Sequence, residues 1–206
     1  GTLLNTLEDL TDAVLYIQKK FDFPLHNIEL VRQHVGNGIR KLIIRSIPDG
    51  EDNPRFEEVY QEFLDYYQKN CQVKTRAYDG IMELLKELHE SNIKMAIVSN
   101  KAHGAVDELN EIYFKDYIKV AIGENEAAGI KKKPAPDSVF HALKLLGSKK
   151  EEAVYVGDSE VDRATAENAG MDCVLCSWGF RERELLEGLK PIAIIDEPKD
   201  LLKIIK

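Results

Sequence analysis

The hydrophobic rhythm of the chain changes once, near residue 78. Between Thr6 and about Gln72, apolar residues return at helical spacing. Leu7, Leu10, Val14, Leu15 and Ile17 form the first stripe, with Thr6 placed to cap its helix. A second helical run covers Ile28 to Ile47 and is interrupted by Gly36-Asn37-Gly38. Ser46 to Pro54 gathers Pro, Gly, Asp and Asn into a loop, and a third helix follows from Phe56 to about Lys69. From Asp79 onward, helical segments alternate with short apolar runs. Helices are expected over Ile81–Glu90, Pro136–Leu146 and Ser159–Ala169. Strands are expected at Lys94–Val98, Tyr117–Ile122, Ala153–Val156, Cys173–Cys176 and Ile192–Ile195. Strands alternating with helices predict a parallel sheet covered on both faces, a doubly wound α/β core. The helical block then reads as an inserted α-helical cap, residues 6–77, with residues 1–5 and 78–206 forming the core.

Composition narrows this picture. A chain of 206 residues can bury a real core as one domain or two. The net charge of -8 argues against a general nucleic-acid binder, which would show a basic stripe. It leaves room for an anionic substrate, because a few local cations and backbone donors can hold one phosphate. The apolar runs are too short to span a bilayer, and no charged-then-apolar leader opens the chain. Cys71, Cys173 and Cys176 make no disulfide framework. The CxxC spacing of Cys173 and Cys176 has a redox or metal reading. Their alternation within the apolar run CVLC, with no second cysteine pair, favours packing. A reducing cytoplasm fits this usage. The histidines, His26, His34, His89, His103 and His141, lack metal-ligand spacing and read as surface or packing residues.

In open parallel sheets, ligands bind beyond the carboxyl ends of the strands, so the residues that follow each strand carry the chemical information. After the first apolar strand stands Ser99-Asn100-Lys101. A hydroxyl and backbone N–H groups at a helix start would form an anion site, or Ser99 is simply a cap. After the next strand and a loop comes Lys131-Lys132-Lys133-Pro134-Ala135-Pro136-Asp137. Pro134 keeps Lys133 out of the helical region and Pro136 suits a first helical turn, which fixes the backbone around one cation able to pair a phosphate. Lys131 and Lys132 read as solvated. Gly157-Asp158-Ser159-Glu160-Val161-Asp162 follows the third of these strands. Asp158 and Asp162 are four apart and face the same way, a hard-oxygen pair suited to Mg²⁺. Ser159 and Asp162 also have the spacing of an acidic capping box.

These segments, in this order, resemble the motifs of the haloacid dehalogenase superfamily, and within it the phosphoglycolate phosphatase-like group with a helical cap. Gly1-Thr2-Leu3-Leu4-Asn5-Thr6 resembles the tail of the first motif, DxDGT. Ser99 resembles the second motif, Lys133-Pro134 the third and Gly157–Asp162 the fourth, GDxxxD. Val35-Gly36-Asn37-Gly38 and Trp178-Gly179-Phe180 are also similar to that phosphatase group.

The resemblance implies an aspartyl nucleophile that forms a phosphoenzyme, with a second Asp two residues on as acid and base. It places both aspartates, and the central strand that carries them, before Gly1. Asp9 and Asp12 fall within the first cap helix and do not replace them. By the same resemblance Asp158 ligates Mg²⁺ directly, and Asp162 supports it from behind or through water. Ser99, Asn100 and Lys133 hold the phosphoryl group, and Thr2 orients the nucleophile loop. Gly36, Asn37 and Arg40 are candidates for substrate contact from the cap, or else a helix break and a solvated face. Trp178-Gly179-Phe180 reads as a packed turn more than a functional loop. The expected activity is a cytoplasmic Mg²⁺-dependent phosphatase on a small phosphorylated metabolite, 2-phosphoglycolate first, working as monomer or homodimer without nucleic-acid or membrane partners. The alternatives are a pyrophosphatase, a sugar-phosphate phosphatase, a phosphoglucomutase, or a non-catalytic phosphate- or protein-binding module. A receiver domain fits poorly with so large a helical insert.

Overall fold

The computed structural model describes residues 1–36 and 38–205. The chain forms two compact units, one of Gly1 with Leu3–Tyr78 and one of Thr2 with the residues from Asp79 onward.

The first unit contains β1 (Leu4–Asn5), α1 (Leu7–Lys20), α2 (Ile28–His34), α3 (Ile39–Ser46), α4 (Phe56–Asn70) and β2 (Arg76–Ala77). The stripe on α1 buries Leu7, Leu10, Val14 and Ile17, joined by Val31, Leu42, Ile43, Val59 and Phe63 from the other helices. Each such side chain contributes roughly 1.5–3 kcal/mol when fully buried. Thr6 occupies the N-cap position without capping through its side chain. Asn5 does so instead, its Oδ1 accepting from the Leu7 N–H at 3.2 Å. The expected cap boundary at residue 6 passes inside an antiparallel pair, Leu4 with Ala77 and Asn5 with Arg76. Residues 3–5 therefore group with the helical unit.

The second unit carries α5 (Ile81–Glu90), β3 (Ala96–Ala102), α6 (His103–Tyr113), β4 (Val120–Glu124), α7 (Asp137–Leu146), β5 (Val154–Gly157), α8 (Glu160–Ala169), β6 (Asp172–Cys176), α9 (Arg183–Gly188) and β7 (Ala193–Ile195). All of its strand pairings are parallel, β3 with β4 and β5 with β6 with β7. Alternate residues of β6 serve opposite faces. Cys173 and Leu175 pack with Val139, Leu143, Ala166 and Leu186, while Val174 and Cys176 pack with Leu84, Leu88, Ile195 and Leu201. Helices on both faces explain why the run is continuously apolar. The same alternation puts Cys173 and Cys176 on opposite faces, and all three cysteines are free thiols. Burial raises the Cys173 pKa to about 12 and pushes that of Cys176 up as well, so both are packing residues. No helix among the described residues is long and apolar enough to cross a membrane.

Candidate active site at the strand ends

The centre of the site is built where β5 turns into α8. Gly157 closes the strand because a Cβ there would stand 2.2 Å from the Asp162 Cβ. That close approach lets Asp162, one turn into α8, reach back under the strand end. Its Oδ2 accepts from the Asp158 N–H at 3.1 Å and from the Ser159 hydroxyl at 2.7 Å. Ser159 is the N-cap of α8, accepting from the Asp162 N–H. The expected box is therefore rearranged. Asp162 accepts from the N–H of Asp158, where a reciprocal box would use that of Ser159.

Lys133 arrives from the loop before α7 and completes the buried group. Its ammonium lies 2.7 Å from Asp162 Oδ1, 3.2 Å from the Tyr155 hydroxyl and 3.4 Å from the Val98 carbonyl. The Tyr155 hydroxyl also donates to Asp162 Oδ1 at 3.1 Å. Burial disfavours the Lys133 charge, yet the Asp162 carboxylate and the Tyr155 hydroxyl outweigh it and hold its pKa above the ordinary value. Burial also opposes the Asp162 charge. Lys133, the Ser159 hydroxyl and the Asp158 N–H overcome it and hold the carboxyl at about 2. Burial first, then Asp162, pushes the Tyr155 pKa up, so the phenol keeps its proton. At neutral pH the group is a directly bonded ammonium–carboxylate pair with a neutral phenol in contact with both.

Two further residues fix the lysine's backbone. The Asn100 carboxamide accepts from the Lys133 N–H at 2.6 Å and donates to the Lys133 carbonyl at 3.0 Å. The Asn168 amide donates to the Pro134 carbonyl at 2.8 Å, and the Lys133–Pro134 peptide is cis. Lys133 thus joins the two ladders, bonding Val98 on β3 and Tyr155 on β5. Ser99 lies beside it on β3, and its Oγ accepts from the Lys101 N–H at 3.2 Å. Ser99 caps no helix, which corrects one expectation. β3 continues through an irregular register between Val98 and Ala102, and α6 starts only at His103.

Asp158 is 7% exposed and is held from two sides. The Thr2 hydroxyl donates to its Oδ1 at 2.9 Å, and the Phe180 N–H to its Oδ2 at 3.3 Å. Trp178 Nε1 donates to the Thr2 carbonyl at 3.0 Å. The Trp178-Gly179-Phe180 turn is thus joined to the site. Nothing in the sequence pointed to Tyr155 or to Arg181, which pairs with Glu160 here.

The remaining candidates sit elsewhere. Arg40 pairs with Glu51 and Glu57 and lies over the Phe56 ring within the helical unit. Gly36 is at the break between α2 and α3, and Asn37 falls outside the described residues. Asp9 is buried by structural work, accepting from Lys74 N and from Thr75 N and Oγ1, and Asp12 pairs with Lys74. Among the described residues no cluster of three His, Cys, Asp or Glu could hold a metal. The donor set still fits Mg²⁺, which takes one or two protein carboxylates and fills its shell with water and substrate phosphate. It does not fit a dedicated all-protein cage.

A doubly wound parallel core with a helical unit near its start, and a lysine, an acid pair and a serine at its strand ends, defines a class of hydrolase. The profile of the haloacid dehalogenase-like hydrolases matches residues 1–176, and the chain belongs to that family. Within it the chain is 31% identical to phosphoglycolate phosphatase 1 of Pseudomonas aeruginosa over 207 residues, covering 98% of this chain and 75% of that protein. It is 30% identical to a phosphoglycolate phosphatase of Pseudomonas fluorescens over the same shares. The fold superposes with a TM-score of 0.92 on a crystal structure from Lactobacillus delbrueckii subsp. bulgaricus, provisionally described as a phosphoglycolate phosphatase. The two are 32% identical, and the match covers 100% of this chain and 94% of that one.

Proposed function

We propose that the protein is a Mg²⁺-dependent phosphatase of small phosphate monoesters, with 2-phosphoglycolate the leading substrate. The observation that carries this reading is the buried Lys133–Asp162 pair directly behind Asp158. Asp162 offsets the lysine's charge and anchors the Asp158 backbone, so a cation and the residue that carries a second carboxylate are held in fixed relation to each other. Preorganised charge of this kind stabilises a transferring phosphoryl group, because no solvent must reorganise as charge moves. Ser99, Asn100 and Lys133 are the phosphoryl-holding residues in this reading. Asp158, backed by Asp162, holds the Mg²⁺, which when bound supplies charge neutralisation on the phosphoryl oxygens. The names of the curated relatives support the choice of substrate.

In this reading Thr2 helps orient the loop that carries the nucleophilic and the acid/base aspartates. The intact gene product should be assayed for phosphate release from 2-phosphoglycolate, pyrophosphate and hexose phosphates, with Mg²⁺ and with chelator. Release that needs Mg²⁺ and favours 2-phosphoglycolate is expected. Absence of metal-dependent release from every ester would overturn the reading. A higher kcat/KM for pyrophosphate or a hexose phosphate would overturn the substrate alone.

A further inference from the structure

The turn after β6 touches the site in a way the phosphatase reading does not use. Gly179 passes so close to Asp158 that a Cβ would stand 2.3 Å from the Asp158 Cβ. Only glycine allows that approach, and the approach is what delivers the Phe180 N–H to Asp158 Oδ2. One residue earlier, Trp178 fixes the Thr2 carbonyl, and Thr2 in turn gives its hydroxyl to Asp158 Oδ1. A single turn therefore sets both oxygens of one buried carboxylate, one directly and one through Thr2. Both of these donors are neutral, so they orient the carboxylate without offsetting its charge.

One residue later, Arg181 makes a two-point fork with Glu160. Its Nε donates to Oε2 at 2.7 Å and its Nη2 to Oε1 at 2.9 Å. The Arg181 side chain is 11% exposed and that of Glu160 38%. Planar bidentate pairing fixes direction as well as distance. The two residues stand next to the groups they would align. Glu160 is two residues beyond Asp158 and Arg181 one residue beyond Phe180, so the fork staples the start of α8 to the turn.

The geometry points to Arg181 and Glu160 as positioning residues that hold this turn, and through Phe180 and Thr2 set the Asp158 carboxylate for its divalent cation. This rests on the assignment of Asp158 as the cation ligand in the phosphatase reading. Partners behind a metal ligand typically change metal affinity by about 10- to 100-fold when removed.

Trp178 is the single tryptophan of the 206 residues and reaches Asp158 through Thr2. It should sensitise Tb³⁺ luminescence at Asp158, and Mg²⁺ competition then gives an affinity independent of catalysis. In the intact gene product, Arg181→Ala and Glu160→Gln should each raise the Mg²⁺ midpoint about tenfold or more. Arg181→Lys, which keeps the charge and loses the fork, should fall between wild type and Arg181→Ala. Melting temperatures separate the roles. Variants that melt lower but keep the wild-type Mg²⁺ midpoint would overturn the assignment. So would a Tb³⁺ signal that survives Asp158→Asn. A shifted midpoint in a protein that hydrolyses no phosphoester would uphold the staple and overturn the phosphatase reading.

Discussion

Asp162→Asn replaces one carboxylate oxygen with NH₂ in the most densely bonded part of the site. The carboxylate accepts four hydrogen bonds, from Lys133 and Tyr155 on Oδ1 and from the Asp158 N–H and Ser159 on Oδ2. An asparagine keeps one acceptor oxygen. If that oxygen takes the Oδ1 position, its NH₂ faces the Asp158 N–H, donor against donor. If it takes the Oδ2 position, its NH₂ faces the Lys133 ammonium. Asp162 is 5% exposed and the Lys133 side chain 13%, so water does little to relieve either arrangement. Removing one partner of a buried pair costs about 3–5 kcal/mol. With a urea slope of about 3 kcal/mol/M, the α/β unit should unfold about 1–1.7 M earlier. Trp178 lies in that unit, so its fluorescence isolates the transition from that of the helical unit. Lys133→Met should cost a similar amount, because it strands the carboxylate. The double variant Lys133→Met/Asp162→Asn should lose less than the sum of the two, by about 1–3 kcal/mol of coupling. A loss below about 1 kcal/mol in Asp162→Asn, or strict additivity in the double variant, would refute the argument that these charges hold each other in place.

Three shorter predictions test other parts of the molecule. Gly179→Ala must move the turn away from Asp158, and a displacement near 1 Å should lower Mg²⁺-dependent phosphate release about 100-fold while far-UV dichroism stays native; unchanged turnover would refute the close-approach argument. Asp9→Ala strands the buried donors of Thr75 and the half-buried N–H of Lys74, so the helical unit should lose about 2–4 kcal/mol, read by amide exchange in α1; protection equal to wild type would count against it. Burial lowers the pKa of His26, and burial with the charges of His26 and Arg45 lowers that of His34. The unfolded chain then binds protons more readily, so their contribution is full above about pH 6.5 and lost as pH falls below it. Melting at pH 7.5 and 5.5 should show this slope, and His26→Gln/His34→Gln should flatten it.

Much of the fold was legible because its elements are long or strongly patterned. The apolar stripe of α5 predicts Ile81–Glu90, and the helix occupies that span. What failed was short or carried by distant pairing. β1 and β2 have two residues each, too few for any alternation, and exist because the ends of the helical unit meet. α9 has six residues and one buried leucine, so it shows no stripe. β3 was expected to stop at Val98, since Ser99-Asn100-Lys101 is polar. It continues to Ala102 because Ala102 still pairs with Glu124 across an irregular register.

The site divides along the same physical line. Asp158, Asp162 and Lys133 could be found because each follows a strand in a sheet whose ligands gather at strand ends. Sequence spacing does not say which ends meet, and that is where the unforeseen residues lie. Tyr155 sits in a strand that reads as core, and it is core, 6% exposed. Only the arrival of Lys133 from a loop distant in sequence makes its hydroxyl part of the site. The Trp178-Gly179-Phe180 turn is the inverse case. It reads as packing because glycine between aromatics is an ordinary turn signal, and it does form a turn. Its importance comes from what Gly179 lets the backbone touch, the buried carboxylate of Asp158. A local rule can therefore be satisfied and still conceal a specific contact, because a turn that orients a buried carboxylate is built from the same residues as a turn that only packs.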